Sequence, residues 1–306
     1  MLVTGNELLQ KAQRGHYAVP AFNVDNLEIL QAVVSAAQEA RSSIIIATSE
    51  SSLEYAGFRN LRALVYLAAE GKATLALHLD HGKDLDLIKH CIDGGWTSVM
   101  FDGSDLPYEE NVKKTQTVVR WAHQRGVSVE AELGALGTDE DLTKEGVTHF
   151  TDPDQAVDFV KRTKIDSLAI SIGTAHGPFK AKEGVHLDFK RLAEIKKKTR
   201  MPLVLHGASG LSQKLLRVAH NHCDIMHDCV RTQGAHGVPD AQVRRAIRLG
   251  INKVNVGTDL RLAFVAGMRR ALLEHTRYTD ERKILAEAHD LVKEVALQKI
   301  QMFRKP

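Results

Sequence analysis

Residues 73–82 (ATLALHLDHG), 166–177 (DSLAISIGTAHG) and 201–209 (MPLVLHGAS) decide how this chain is read. Each is a short apolar run that ends on a histidine, His81, His176 or His206, followed at once by glycine. Apolar runs of this length bounded by Gly-containing turns read as buried strands. Imidazoles carried at the ends of several parallel strands can converge on one point, and three neutral histidines with an open fourth position are a catalytic zinc set. A single histidine so placed would more often cap or pack; three in one register point to a metal.

Working outward, further runs rich in aliphatic and β-branched residues recur through the chain. The eight expected strands are 17–22, 43–48, 73–78, 97–101, 127–132, 166–172, 202–205 and 251–256. Helical periodicity fills stretches between them at 27–39, 111–123, 154–162 and 188–198, and Asp152-Pro153 is an N-terminal helix signal. Strand–helix alternation with such short crossovers requires parallel strands. Eight of them favour a closed (β/α)8 TIM barrel in one domain over an open doubly wound sheet, and 306 residues suit a barrel that needs about 250. No Pro-, Ser- or Gly-rich linker divides 1–306. Two stretches break the beat. Residues 134–150, Gly-containing and acidic, read as a segment that closes over substrate, and 211–240 is an excursion after the seventh strand. A helical extension is expected over about 260–306.

A formal charge of +3 is too small to imply nucleic acid or membrane binding, and Lys196-Lys197-Lys198 reads as a solvated helix face. Cys91, Cys223 and Cys229, an odd number with no signal-like start, argue for a reducing cytoplasm rather than a disulfide scaffold.

The polar residues gather at strand C-termini, where barrels keep their chemistry. In His78-Leu79-Asp80-His81-Gly82, alternation puts His78 and Asp80 on one face with His81 just past the strand end. Asp80 could be a ligand, a ligand orienter, a general acid/base or a helix cap. Gly207-Ala208-Ser209 and Asn255-Val256-Gly257-Thr258 are polar, Gly-containing turns after strands seven and eight, where barrels commonly hold phosphate. Asp102, Glu130 and Glu132 end strands four and five, placed to hold a ligand's other ring nitrogen or a second cation.

HLDHG (78–82), GTAHG (173–177), LHGAS (205–209) and NVGTD (255–259), in this order and spacing, resemble the class II, zinc-dependent ketose-bisphosphate aldolases. The likeness runs from AFNV (21–24) through RLAFVAGMRRAL (261–272). It implies a cytoplasmic lyase of glycolysis and gluconeogenesis that cleaves fructose 1,6-bisphosphate to dihydroxyacetone phosphate and glyceraldehyde 3-phosphate, working as a homodimer or homotetramer. On this chain's residues it implies zinc at His81, His176 and His206 and proton transfer by Asp80. Asp102 and Glu132 match a second cation position, divalent or monovalent, or supporting carboxylates. Asn23, Ser49, Gly177, Lys180, Gly207, Ala208, Ser209, Asn255, Val256, Gly257 and Thr258 match substrate-holding positions. Cleavage beside a ketone leaves an enediolate, which a dication stabilises as a Lewis acid. The second acid/base of the family is a Glu on the loop after strand five. Here the loop departs from the pattern: Gly137-Thr138-Asp139-Glu140-Asp141 puts Asp139 at that position in direct alignment and Glu140 one residue on.

Substrate choice within the family rests on the configuration at carbon four. Gly257 resembles tagatose-specific members, the long 211–240 connection resembles fructose-type ones, and fructose is the expectation. His220, His222, Cys223, His227, Cys229 and His236 crowd that connection without a standard zinc spacing, so surface histidines and packed thiols are expected there rather than a satellite metal. Three rivals remain. A lysine Schiff-base aldolase would use Lys253, which shares strand parity with Asn255 but lies one layer below the mouth. A metal-dependent hydrolase would want His-x-His on the first strand, where 17–22 offers none. A noncatalytic accessory subunit should have lost ligands that this chain keeps.

Overall fold

Each apolar run nucleates a strand, and each strand pairs in parallel with the next. The computed structural model describes residues 1–134, 150–174, 186–208, 210, 237–275 and 277–306. Helix α1 (Gly5–Gly15) precedes β1 (Val19–Asn23), and α2 (Leu27–Glu39) leads to β2 (Ile44–Ser49). Helices α3 (Glu50–Ala56) and α4 (Phe58–Ala69) precede β3 (Leu75–Gly82). The alternation continues through α5 (Leu85–Asp93), β4 (Ser98–Phe101), α6 (Tyr108–His123), β5 (Ser128–Leu133), α7 (Pro153–Thr163) and β6 (Ser167–Ile170). Then come α8 (Phe189–Thr199), β7 (Leu203–Leu205), α9 (Asp240–Arg248), β8 (Ile251–Val256), α10 (Thr258–Glu274) and α11 (Glu281–Arg304). β8 pairs in parallel with β1, so the eight strands close into the expected barrel.

Local chemistry sets the helix starts. Asn26 accepts the Ile29 N–H at 2.9 Å, and Asp152 accepts those of Asp154 and Gln155 with Pro153 in the first turn. Caps of this kind contribute about 1 kcal/mol each. The outward faces of the strands and the inward faces of the helices form one large apolar layer that includes Phe22, Ile46, Leu77, Phe101, Val129, Leu168, Leu203 and Val256. Inside the barrel the lining is graded. Leu8, Leu9 and Ala12 of α1, spaced to share one helix face, pack on Val19, Ala21, Ile45, Ala47 and Ala76 and close the N-terminal end. Gly5 lies so close to the inward Ser98 that a β-carbon there would fall 2.7 Å from its Oγ. With one end plugged by an apolar helix, the polar interior can open only at the strand C-termini.

Two expectations are corrected. β3 runs to Gly82 rather than ending at His78, so His81 lies within the strand and not beyond it. Strict alternation would turn His81 away from Asp80, but its φ of 49° is left-handed, and the register with β4 shifts between Leu79 and Gly82. That kink lets two consecutive side chains serve the same mouth, at a backbone cost on the order of 1–2 kcal/mol. Lys196 is the other correction, because it is half-buried rather than freely solvated. Its ammonium reaches under the barrel to Gln13 Oε1 (2.6 Å), Met201 O (2.7 Å) and Asn252 Oδ1 (2.9 Å), and burial pushes its pKa down to about 8. Among the described residues no helix is long and apolar enough to cross a membrane.

Candidate active site

At the mouth, β1, β3 and β8 bring Asn23, Asp80 and Asn255 together. The Asn23 amide donates to Asp80 Oδ2 at 2.8 Å and the Asn255 amide to Oδ1 at 2.7 Å. Both carboxylate oxygens are thus fixed by neutral donors. Burial alone would raise the Asp80 pKa, but the charge of His81, followed by those of Lys253 and His206, holds it well below the carboxylate range. Asp80 is therefore held oriented and ionised. Ser49 lies level with it in the β2–β3 register and caps α3. A cleft of about 730 Å³ runs outward from Asp80, His81 and Ser49 past Glu50, Lys83 and His90.

Two of the three expected histidine ligands are described, and they meet. The rings of His81 and His206 lie edge-on, with centroids 4.4 Å apart. One ligand atom from each of Asp80, His81 and His206 lies within 4.8 Å of the others, a donor set that suits a divalent metal. Each ring is oriented through its other nitrogen, as metal-binding histidines usually are. His81 Nδ1–H donates to Asp102 Oδ2 at 2.8 Å, and His206 Nε2–H donates to Glu130 Oε1 at 2.9 Å. Nε2 of His81 and Nδ1 of His206 are then the atoms that would serve a metal. Asp102 also accepts the N–H and hydroxyl of Ser104, so its carboxylate is locked.

His81, Asp102 and Glu132 form a second, overlapping group. Glu132 Oε2 is buried, 3.8 Å from His81 Nδ1, and has no hydrogen-bond partner among the described residues. Burial first, and then the charge of Asp102, pushes the Glu132 pKa well above the usual range. Burial works against the charged form of His81, yet Asp80, Asp102 and Glu132 together raise it to about 9. Such a concentration of negative charge is one that a cation would satisfy, releasing the imidazole proton as it bound.

One layer down lies a network whose members the sequence offered separately. Glu130 sits mid-strand on β5 rather than at its end, and its second oxygen accepts from Lys253 Nζ at 2.8 Å. Burial would raise the Glu130 pKa, but Lys253 reverses this and holds the carboxylate ionised. Lys253 also donates to His78 Nε2 at 3.2 Å, and His78 Nδ1–H donates to Ser98 Oγ at 2.8 Å. Burial, then Lys253, pushes the His78 pKa to about 3, so this ring is neutral. Inward parity on alternate residues (His78 with Asp80, Lys253 with Asn255) was the signal for this layer; its pairing was not readable.

The remaining expectations fall as follows. Val256 packs outward into the apolar layer, so only its backbone can face a ligand, and Ala208 is likewise buried among apolar neighbours. Gly207 has a φ of 61°, Gly257 precedes the first turn of α10, and Thr258 begins it. A β-carbon on Gly257 would approach Asn23 Oδ1 to 3.0 Å. Asp139, Glu140, His176, Gly177, Lys180, Ser209 and the His220–His236 group lie outside the described residues.

The family model for class II fructose-bisphosphate aldolases matches residues 3–306. A fructose-bisphosphate aldolase of Thermus caldophilus is 42% identical over 310 residues, covering 99% of this chain and 98% of that protein. The solved structure of the YdjI aldolase of Escherichia coli K12 is 32% identical with a TM-score of 0.78, covering 99% of this chain and 97% of that one. The fructose-bisphosphate aldolase of Campylobacter jejuni, at 21% identity, shares the fold with a TM-score of 0.78 over 99% and 96% of the two chains. With its barrel, its paired histidines and its Asn-held aspartate in place, this chain belongs to the class II fructose-bisphosphate aldolase family.

Proposed function

We propose that this chain cleaves and forms fructose 1,6-bisphosphate with a zinc ion held by His81, His206 and His176, as part of glycolysis and gluconeogenesis. The observation that carries the reading is the convergence of Asp80, His81 and His206 at the mouth of the barrel. The chemistry of the donor set fits zinc: imidazole nitrogens, each backed by a carboxylate through the opposite ring nitrogen. Bound zinc supplies Lewis acidity for the negative charge that develops on the ketone and neighbouring hydroxyl oxygens.

The chain's own residues do the rest. Asp80, ionised and steered by Asn23 and Asn255, takes the proton from the hydroxyl on carbon four as that carbon becomes an aldehyde, and returns it in condensation. The turns after β7 and β8 (Gly207-Ala208-Ser209 and Asn255–Thr258) hold the phosphate of the dihydroxyacetone half through backbone N–H groups, and Gly177 and Lys180 match further substrate-holding positions of the family. Ser49 contacts the aldehyde half from the cleft. The proton at the enediolate carbon belongs to Asp139 or Glu140. Asp102 supports His81, and Glu132, with its partnerless buried oxygen, is the residue most in need of a second cation. The assembly is a homodimer or homotetramer in this reading.

Gly257 favours a second reading, tagatose 1,6-bisphosphate, because no side chain stands between the turn after β8 and Asn23. Assaying both sugars, before and after chelation and with zinc restored, tests the whole reading. Cleavage of fructose 1,6-bisphosphate that is lost with chelator and regained with zinc supports it. Cleavage that survives chelation and is trapped by borohydride would replace it with lysine chemistry.

A further inference from the structure

The last helix carries a buried cation to the back of the proposed phosphate grip. Lys299 lies on α11, only 9% exposed, and its ammonium sits 3.3 Å from Asp259 Oδ2 and 3.9 Å from Asp240 Oδ1. Asp259 is 1% exposed and stands in the first turn of α10, directly after the turn that follows β8. The same Oδ2 accepts the N–H of Gly210, at the end of the turn that follows β7, at 3.1 Å. One carboxylate oxygen therefore ties together two loops from adjacent strands, with the Lys299 ammonium beside it. Gly210 is pressed against this pair: a β-carbon there would lie 2.9 Å from both Lys299 Nζ and Asp240 Oδ1.

Helix α11 is held in place from several sides. Gly267 of α10 meets Ala288 so closely that a β-carbon would come within 2.6 Å of its Cα. Phe303 O accepts the Ala18 N–H at 3.1 Å, just before β1. Lys299 is thus delivered by a rigid element rather than by a loose tail.

We infer that Lys299 is a positioning residue that couples the turns after β7 and β8 into one phosphate grip and cancels the Asp259 charge behind it. The physical need is clear. A buried carboxylate that anchors an anion-binding turn also repels the anion, since unit charges in a protein interior interact far more strongly than in water. An ammonium alongside removes that repulsion while leaving the carboxylate free to hold the Gly210 N–H. This inference rests on the proposal that these turns bind the phosphate of dihydroxyacetone phosphate.

The test uses zinc-loaded full-length enzyme and solvent exchange of the carbon-bound proton, measured on dihydroxyacetone phosphate and on unphosphorylated dihydroxyacetone. Lys299→Met should raise KM for the phosphorylated compound by about 10- to 100-fold, the range for losing a charged partner in a buried network. It should leave KM for dihydroxyacetone within about threefold and change kcat far less than KM. Lys299→Arg should restore most of the discrimination, and Lys299→Met combined with Asp259→Asn, which removes both charges, should recover part of it. Should Lys299→Met fail to fold, Lys299→Gln is read in the same way. Wild-type discrimination retained in the Met or Gln variant overturns the coupling alone. A wild-type enzyme that handles both compounds equally overturns the phosphate reading of the turns, and this inference with it.

Discussion

Replacing Lys253 by methionine probes whether the buried layer under the mouth holds the metal site in shape. Methionine keeps the length and apolar stem, and removes the charge that opposes burial of Glu130. Lys253 and Glu130 are each about 1–2% exposed, so no water can take the place of the lost partner. Breaking a buried pair from one side costs about 3–5 kcal/mol, against a typical total stability of roughly 5–15. Glu130 would respond by taking up a proton, and a protonated carboxyl no longer accepts reliably from His206 Nε2–H. Losing such support typically weakens metal binding by about 10- to 100-fold. Two measurements follow: chemical denaturation for stability, and competition with a chromogenic chelator for zinc affinity. The double variant Lys253→Met with Glu130→Gln removes the stranded charge, while the new amide oxygen can still accept from His206, so it should recover at least half of the lost stability. A Lys253→Met enzyme within about 1 kcal/mol of wild type, with unchanged zinc affinity, would refute the reasoning. Loss of activity in that variant is no sign of Schiff-base chemistry, because the ammonium is engaged by Glu130 and His78.

His206→Ala should lose most bound zinc and all measurable cleavage; full metal occupancy by elemental analysis would contradict its proposed role. Asp80→Ala should keep its zinc and bind substrate while turnover falls by about 10² to 10⁴, and a metal-free variant would make Asp80 a ligand or ligand orienter instead. Lys196 sets a pH dependence. Folded, it gives up its proton near pH 8, whereas the unfolded chain holds one to about 10.5, so between those values the unfolded state binds more protons and stability rises with pH. Relative to Lys196→Met, wild type should therefore gain stability across pH 8–10.5, by on the order of 1 kcal/mol once solvent screening of the half-buried ammonium is allowed for, with the cost of burying the charge fully present below pH 8. A difference in melting temperature that stays flat over that window would show that the three acceptors around the ammonium compensate its burial.

The barrel was legible because its signals are local. Apolar runs such as Ile44-Ile45-Ile46 and turn residues after each strand carry their own periodicity, and every expected strand overlaps an observed one. The convergence of His81 and His206 was legible for a related reason, since position at a strand end fixes height in a barrel. Legibility failed where a residue's role depends on a partner far along the chain. Glu130 and Lys253 are 123 residues apart, and parity could say that both point inward but not that they meet. His81 shares the mouth with Asp80, its neighbour in the chain, only because the backbone there is left-handed, which no alternation rule anticipates. Lys196 and Lys299 show the same limit on helices. Lys196 reads as solvated and nothing in the sequence singles out Lys299, yet each ammonium meets polar atoms from other elements. A lysine on a helix of a barrel has a long, flexible reach, so its burial is decided by which element passes beneath it. In this chain the elements passing beneath Lys299 are the two turns proposed to hold phosphate, which is why its substitution should be felt in substrate affinity before it is felt in turnover.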